Sequence, residues 1–215
     1  DLRKNIQLKK NINIDNFDFL RFEDVSYSYK NNKSSKYLLS GVNLTIKKGE
    51  YIGIYGETGS GKSTFVDLLM GLLKANKGKL FFNGINLYQK NNLVSWRNLI
   101  AHVPQDIFLK EGTIEENIVF NTSEHLVNYD LLVKYAKMAN IYEFIANLEL
   151  GFNTIVGERG IRLSGGQKQR ISIARALYRN KKILVLDEAT NALDEETEQE
   201  VINAILNNNR DITII

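Results

Sequence analysis

The stretch Leu20–Tyr29, LRFEDVSYSY, alternates apolar and polar positions with the two-residue period of a half-buried strand. A turn-like NNKSSK follows, and a second strand signal lies around Val42–Ile46. Together they predict an antiparallel sheet at the start of the chain. Tyr51–Tyr55 reads as a short apolar strand running into a glycine-rich loop. From Lys62 to Leu73 the residues Phe65, Leu68, Leu69 and Leu72 fall at helical spacing. KLFFNGINL, residues 79–87, contains the tight-turn pair Asn83-Gly84. Residues 100–105 form another short strand, broken by Pro104, the single proline.

The pattern changes over residues 106–163. Strand signals fade, and ENIVF, DLLVKYAKMA and IYEFIANL predict short helices, with Leu131, Leu132, Tyr135, Ala136 and Met138 forming an apolar face. This is the signature of a helical sub-lobe inserted into an α/β core. A further helix is predicted over Gln167–Tyr178, a buried strand at KKILVLD, a helix over DEETEQEVINAILNN and the start of a last strand at DITII.

Composition narrows the class. Hydrophobic residues make up 43% and charged residues 25% of 215, ordinary globular usage. With no cysteine there is neither a disulfide framework nor a thiolate zinc site. A net charge of +3 is too slight to argue for nucleic acid. No apolar run reaches the length of a membrane span, so a membrane role would need another segment to place the domain there. Residues 1–18 are polar and rich in Asn and Lys, and read as a linker or tail. DLRKNIQLKK lacks the apolar core of a signal peptide. Arg3, Lys4, Lys9 and Lys10 suit a solvated tail or a place near anionic headgroups.

The chemistry begins at Gly56-Glu57-Thr58-Gly59-Ser60-Gly61-Lys62-Ser63, which fits G-x-x-x-x-G-K-[ST] between a predicted strand and a predicted helix. Glycines let the backbone curl so that successive N–H groups face phosphate oxygens. The helix N-terminus adds partial positive charge there. Lys62 is placed for the β- and γ-phosphates of ATP, and the Ser63 hydroxyl for Mg²⁺. Thr64 belongs to the same nucleotide-binding run. Further on, Ile183–Leu186 is a continuous apolar strand with Asp187 and Glu188 at its C-terminal end, where ligands bind in open α/β sheets. Asp187 is a candidate second Mg²⁺ contact, and Glu188 is placed to orient or deprotonate an attacking water. Two acids capping the next helix is the competing reading.

Leu163-Ser164-Gly165-Gly166-Gln167 has the form of a capping box, Ser164 with Gln167 three residues on. Arg175, Arg179, Lys181 and Lys182 suit the negative end of that helix. The N–H groups near Gly165 and Gly166 offer a second phosphate-binding terminus. Two such termini in one chain suggest that two chains share nucleotides. With both phosphate-site motifs, LSGGQ resembles the nucleotide-binding domain of ABC ATPases, over about residues 20–215 and with a P-loop, RecA-like core. Residues 154–160, TIVGERG, resemble the exporter subgroup.

The resemblance implies more. Gln105 matches the family's Q-loop, sensing Mg²⁺ and the γ-phosphate and linking them to the helical sub-lobe, about residues 106–170. Tyr29 matches the aromatic that stacks on adenine, with Tyr27 as the other candidate. Asn191-Ala-Leu-Asp194 matches the D-loop, with Asn where Ser is usual. Two domains would pair head to tail around two ATP, as a homodimer or pseudo-dimer. Ser164, Gly165, Gly166 and Gln167 would then act in trans. A transmembrane domain, in the same polypeptide, would sit at a membrane whose cytoplasmic face carries this domain. The family's switch histidine follows the strand that DITII begins, whereas His102 and His125 precede LSGGQ. The chain is therefore expected to bind nucleotide and hydrolyse it slowly. Two alternatives stand beside export. One is a soluble ABC ATPase acting on chromosomes or ribosomes: the chromosome type would carry coiled-coil heptads between Lys62 and Leu163, and none is sustained, while the ribosome type usually carries two such domains in one chain. A phosphotransferase would have no use for LSGGQ.

Overall fold

The computed structural model describes residues 16–29, 37–89, 92–120, 127–188, 193–208 and 211–215. The chain forms two compact units, Asp1–Ile100 and Ala101–Ile215.

In the first unit, β1 (Phe19–Tyr27), β2 (Leu39–Lys47), β3 (Lys77–Phe82) and β4 (Ile85–Asn86) make an antiparallel sheet in the order β2-β1-β3-β4. Alternation along β1 buries Leu20 and Phe22 and leaves Arg21 and Glu23 outside, paired at 2.8 Å. The register of β1 slips between Phe22 and Val25, where Asp24 has φ 49°. Gly78 passes so close that a Cβ there would lie 2.3 Å from the Asp24 carbonyl oxygen. Asn83 and Gly84 turn β3 into β4 with φ of 47° and 78°, as their sequence predicts. The Asn83 side-chain oxygen also accepts the N–H groups of Asp18 and Phe19.

Helix α1 (Lys62–Leu69) is shorter than its apolar spacing predicts. Gly71, at φ 70°, stops it: Gly71 N–H donates to Leu68 C=O and Leu72 N–H to Asp67 C=O, the paired bonds of a Schellman ending. Leu72 therefore leaves the apolar face and is exposed. Helix α2 (Asn92–Arg97), which the hydrophobic pattern did not suggest, delivers Trp96 to the core. The Trp96 ring packs 5.1 Å from Phe82 and 5.9 Å from Phe17, and its Nε1–H donates to Leu69 C=O at 2.7 Å. The strand expected at residues 51–55 is corrected: Tyr51 holds a single bridge, residues 52–57 form no strand, and Tyr55 is exposed. Gly53 offers no side chain for strand neighbours to pack on.

In the second unit, β5 (Ile100–Val103), β6 (Ile183–Leu186) and β7 (Thr213–Ile214) form a sheet in that order, β6 and β7 being parallel. Helices α3 (Ile114–Ile118), α4 (Tyr129–Met138) and α5 (Tyr142–Ala146) are inserted after β5, followed by 3-10 turns at Gly151–Asn153 and Glu158–Gly160. Helices α6 (Gly165–Tyr178) and α7 (Glu195–Asn208) flank β6 in sequence. Thr113 and Glu116 form a capping box at α3, and Asn128 caps α4. On α4, Leu132, Tyr135, Ala136 and Met138 are buried as expected, whereas Leu131 turns outward. The core gathers these with Ile171, Ala174 and Leu184.

The Trp96 side chain is enclosed on every side and also serves a hydrogen bond. Trp96→Ala is expected to cost about 3–5 kcal/mol, read as a lower urea midpoint at unchanged slope. A shift under about 1 kcal/mol would show that the site collapses around the smaller residue.

Candidate active site

The glycine-rich loop of the first unit presents backbone, not side chains. Gly59 and Gly61 have φ of 82° and 99°, and Ser60 N–H closes a turn onto Glu57 C=O at 3.1 Å. A Cβ on Gly56 would meet the Ser60 hydroxyl at 2.7 Å. Gly61 is the N-cap residue of α1, with no side-chain cap and no acid in the first turn. The helix's first N–H groups thus keep their donor capacity for something else. Lys62 folds over the loop and donates to Gly56 C=O at 2.8 Å and Glu57 C=O at 3.2 Å. Its ammonium is positioned where phosphate oxygens could replace those carbonyls. Glu57, Thr58 and Ser63 are exposed. Thr64 is buried, and its hydroxyl shares a 2.9 Å hydrogen bond with the Tyr29 hydroxyl. A contact from Thr64 to nucleotide would therefore come from its backbone. Tyr29 is 65% exposed and meets Tyr27 edge-on at 5.1 Å, while Tyr27 is buried in β1. Of the two candidate aromatics, Tyr29 alone offers a free ring.

The second unit assembles the acidic chemistry. Asp187 N–H donates to Val103 C=O at 3.0 Å, so the C-terminal ends of β5 and β6 lie side by side. That register brings the residues just beyond them together: Gln105 Nε2 donates to a Glu188 carboxylate oxygen at 2.7 Å. Glu188 has φ 50°, the left-handed region. For a non-glycine residue this stores about 1–3 kcal/mol of strain, common where a side chain is aimed for function. Asp187 is half-buried at the strand end.

Ser164 and Gln167 form the capping box expected of them. Ser164 N–H donates to the Gln167 side chain at 2.9 Å, and Gln167 N–H to the Ser164 hydroxyl at 3.3 Å. Gly165 and Gly166 occupy the first turn of α6 without side chains over it.

A family model described as ABC transporter matches residues 39–191. The chain is 44% identical over 187 residues to ABC multidrug transporter mdr1 of Aspergillus fumigatus, covering 87% of this chain and 14% of that protein. It is 40% identical over 196 residues to ABC transporter B family member 1 of Dictyostelium discoideum, 91% of this chain and 21% of the relative. It resembles a solved bacterial Atm1-family ABC exporter with ATP bound, at TM-score 0.83 and 34% identity, over 93% of this chain and 34% of that one.

The chain belongs to the ABC transporter family.

Within the family it corresponds to the ATPase domain, α/β with a P-loop NTPase core, and it spans 14–21% of the length of these two relatives. Members of this family use ATP. The D-loop of an ABC ATPase falls partly outside the described residues, at Asn191 and Ala192, as does His125. Asp194 itself caps α7: Thr197 N–H and its hydroxyl both donate to the Asp194 carboxylate at 2.9 Å. The backbone N–H of Thr197 is the main reason that the carboxyl is held below its ordinary pKa.

Arg175 lies in the last turn of α6, as expected, and has partners that the sequence did not suggest: it is part-buried and donates to carbonyls of Asn117 and Phe108. A cation between Ala174 and Ala176 on an otherwise apolar stretch was the available signal.

The capping box gives a stability prediction separable from any role with phosphate. Ser164→Ala is expected to lose about 1 kcal/mol in urea unfolding, and Ser164→Asp to retain most of it. Equal stability of all three would deny the cap an energetic role.

Proposed function

We propose that this domain binds and hydrolyses ATP to power export across a membrane, as part of a longer polypeptide that also carries transmembrane helices. The supporting observation is the combined likeness, at 34% identity, to an ATP-bound exporter and, at 44%, to a multidrug transporter many times this chain's length. Among the described residues no helix is long and apolar enough to cross a membrane. On this reading the spans lie elsewhere in the polypeptide, and the domain works at the cytoplasmic face.

The residue roles in this reading come from the motifs and the family resemblance, and the geometry within each unit supports them. Gly56, Glu57, Thr58, Gly59, Ser60, Gly61 and Thr64 line the phosphates with backbone donors, and Lys62 neutralises the β- and γ-phosphates. Tyr29 stacks on adenine. Mg²⁺ would offset phosphate charge; Ser63, Asp187 and Gln105 are the residues that would hold it, each carrying an oxygen of the kind a hard cation takes. Glu188, which accepts a hydrogen bond from the Gln105 amide, polarises the attacking water. A second copy or homologous domain covers the nucleotide with Ser164, Gly165, Gly166 and Gln167, and Asp194 lies in the loop between the partners. ATP drives closure only because the closed pair binds it better than the open one. A soluble ABC ATPase without a transport role is the alternative, and the relatives' names do not favour it.

Glu188→Gln is expected to bind ATP normally and lose at least about a hundredfold in turnover. Lys62→Ala should weaken ATP binding about tenfold to a hundredfold, as for the loss of a charge-assisted contact. Fluorescent-nucleotide titration and phosphate release read the two. Undiminished turnover in Glu188→Gln would remove Glu188 from the chemistry.

A further inference from the structure

Among the described residues Arg175 pairs with no carboxylate, and its partners are carbonyl oxygens. Its Nε donates to Asn117 C=O at 2.6 Å, Nη1 to Phe108 C=O at 2.8 Å and Nη2 to the Asn117 side-chain oxygen at 3.1 Å. The guanidinium lies over the Phe120 ring, 5.1 Å from its centre. Burial, with Arg179 nearby, lowers its pKa to about 10, so it stays charged at neutral pH. Asn117, wholly buried, extends the cluster. It accepts Lys110 N–H at 3.0 Å and donates to the carbonyls of Lys110 at 3.1 Å and Thr113 at 2.9 Å.

The consequence is mechanical. Phe108 and Lys110, just past Gln105, are both fastened by one polar cluster to α6, about three turns from Ser164. A satisfied polar network resists displacement most where it is buried, as at Asn117, because moving it leaves donors or acceptors unpaired in a medium of low dielectric; the Arg175–Phe108 bond continues it at an exposed edge. The planar fork of Arg reaches three acceptors together; a lysine ammonium would not hold them in one plane.

We propose that Arg175 is a positioning residue that clasps the Gln105 segment to α6, so that a displacement of Gln105 on loss of the γ-phosphate is carried to the Ser164 end of that helix. This rests on the functional reading above. It adds a specific carrier for the coupling, the Arg175–Asn117 clasp.

A double-mutant cycle on ATP turnover tests it in the intact polypeptide that carries this domain. Arg175→Met, which keeps the stem and removes the donors, is expected to lower kcat about tenfold with KM for ATP within twofold. In a Gln105→Ala background the same change should have little further effect, because the clasp then has nothing to position. Arg175→Lys should not restore turnover. If Arg175→Met does not fold, Arg175→Lys carries the cycle instead. Losses that multiply in an active parent protein, or full activity of Arg175→Lys, would overturn the clasp alone. A parent protein with no ATP turnover would overturn the functional reading and the clasp with it.

Discussion

Nucleotide binding by this domain turns on a helix that is left uncapped. Helix α1 begins at Gly61, in a left-handed conformation, with no side chain accepting its first N–H groups and no acid in its first turn. Such donors must be satisfied by something, and the glycine-rich loop before them is shaped with nothing but backbone in the way. Lys62 lies over the same loop, held by two carbonyls that are weaker partners than phosphate would be. The phosphate-binding role proposed for the loop rests on this concentration of donors. Helix α6 is the contrast: Ser164 and Gln167 satisfy its first turn reciprocally.

A second constraint organises the acidic chemistry. One backbone hydrogen bond, Asp187 N–H to Val103 C=O, sets the ends of two strands side by side. Gln105 and Glu188 meet because of that register, and the left-handed backbone at Glu188 completes the aim of its side chain. Helix α6 then has two ends with different tasks. Its start presents a capped, side-chain-free first turn, and its later turns anchor the Phe108–Lys110 segment through Arg175.

Much of this was legible in the sequence, for a physical reason. The residues proposed to carry the chemistry sit where local geometry demands their type: glycines where φ is positive, Ser and Gln at capping-box spacing, acids after an apolar strand. The tight turn at Asn83-Gly84 and the helices α3 to α7 were legible on the same grounds. Features set by distant partners were not. The strand at 51–55 had the right composition, but strand formation depends on neighbours that a local pattern does not specify. Helix α1 was overextended because Leu72 kept the helical period while Gly71 ended the helix. Leu131 fell one position off the buried stripe. Arg175 lies in the last turn of α6 as expected, but its carbonyl partners are brought in by another segment that no local pattern names.

The claim that most needs direct test is that two copies share each nucleotide. Sedimentation velocity of the Glu188→Gln chain, with and without ATP, measures it. The account predicts a shift from monomer to dimer on adding ATP. It also predicts that Ser164→Arg, placed in the same chain, abolishes the shift while leaving nucleotide binding intact. A chain that binds ATP and stays monomeric, or that pairs equally well with Ser164→Arg, would contradict it.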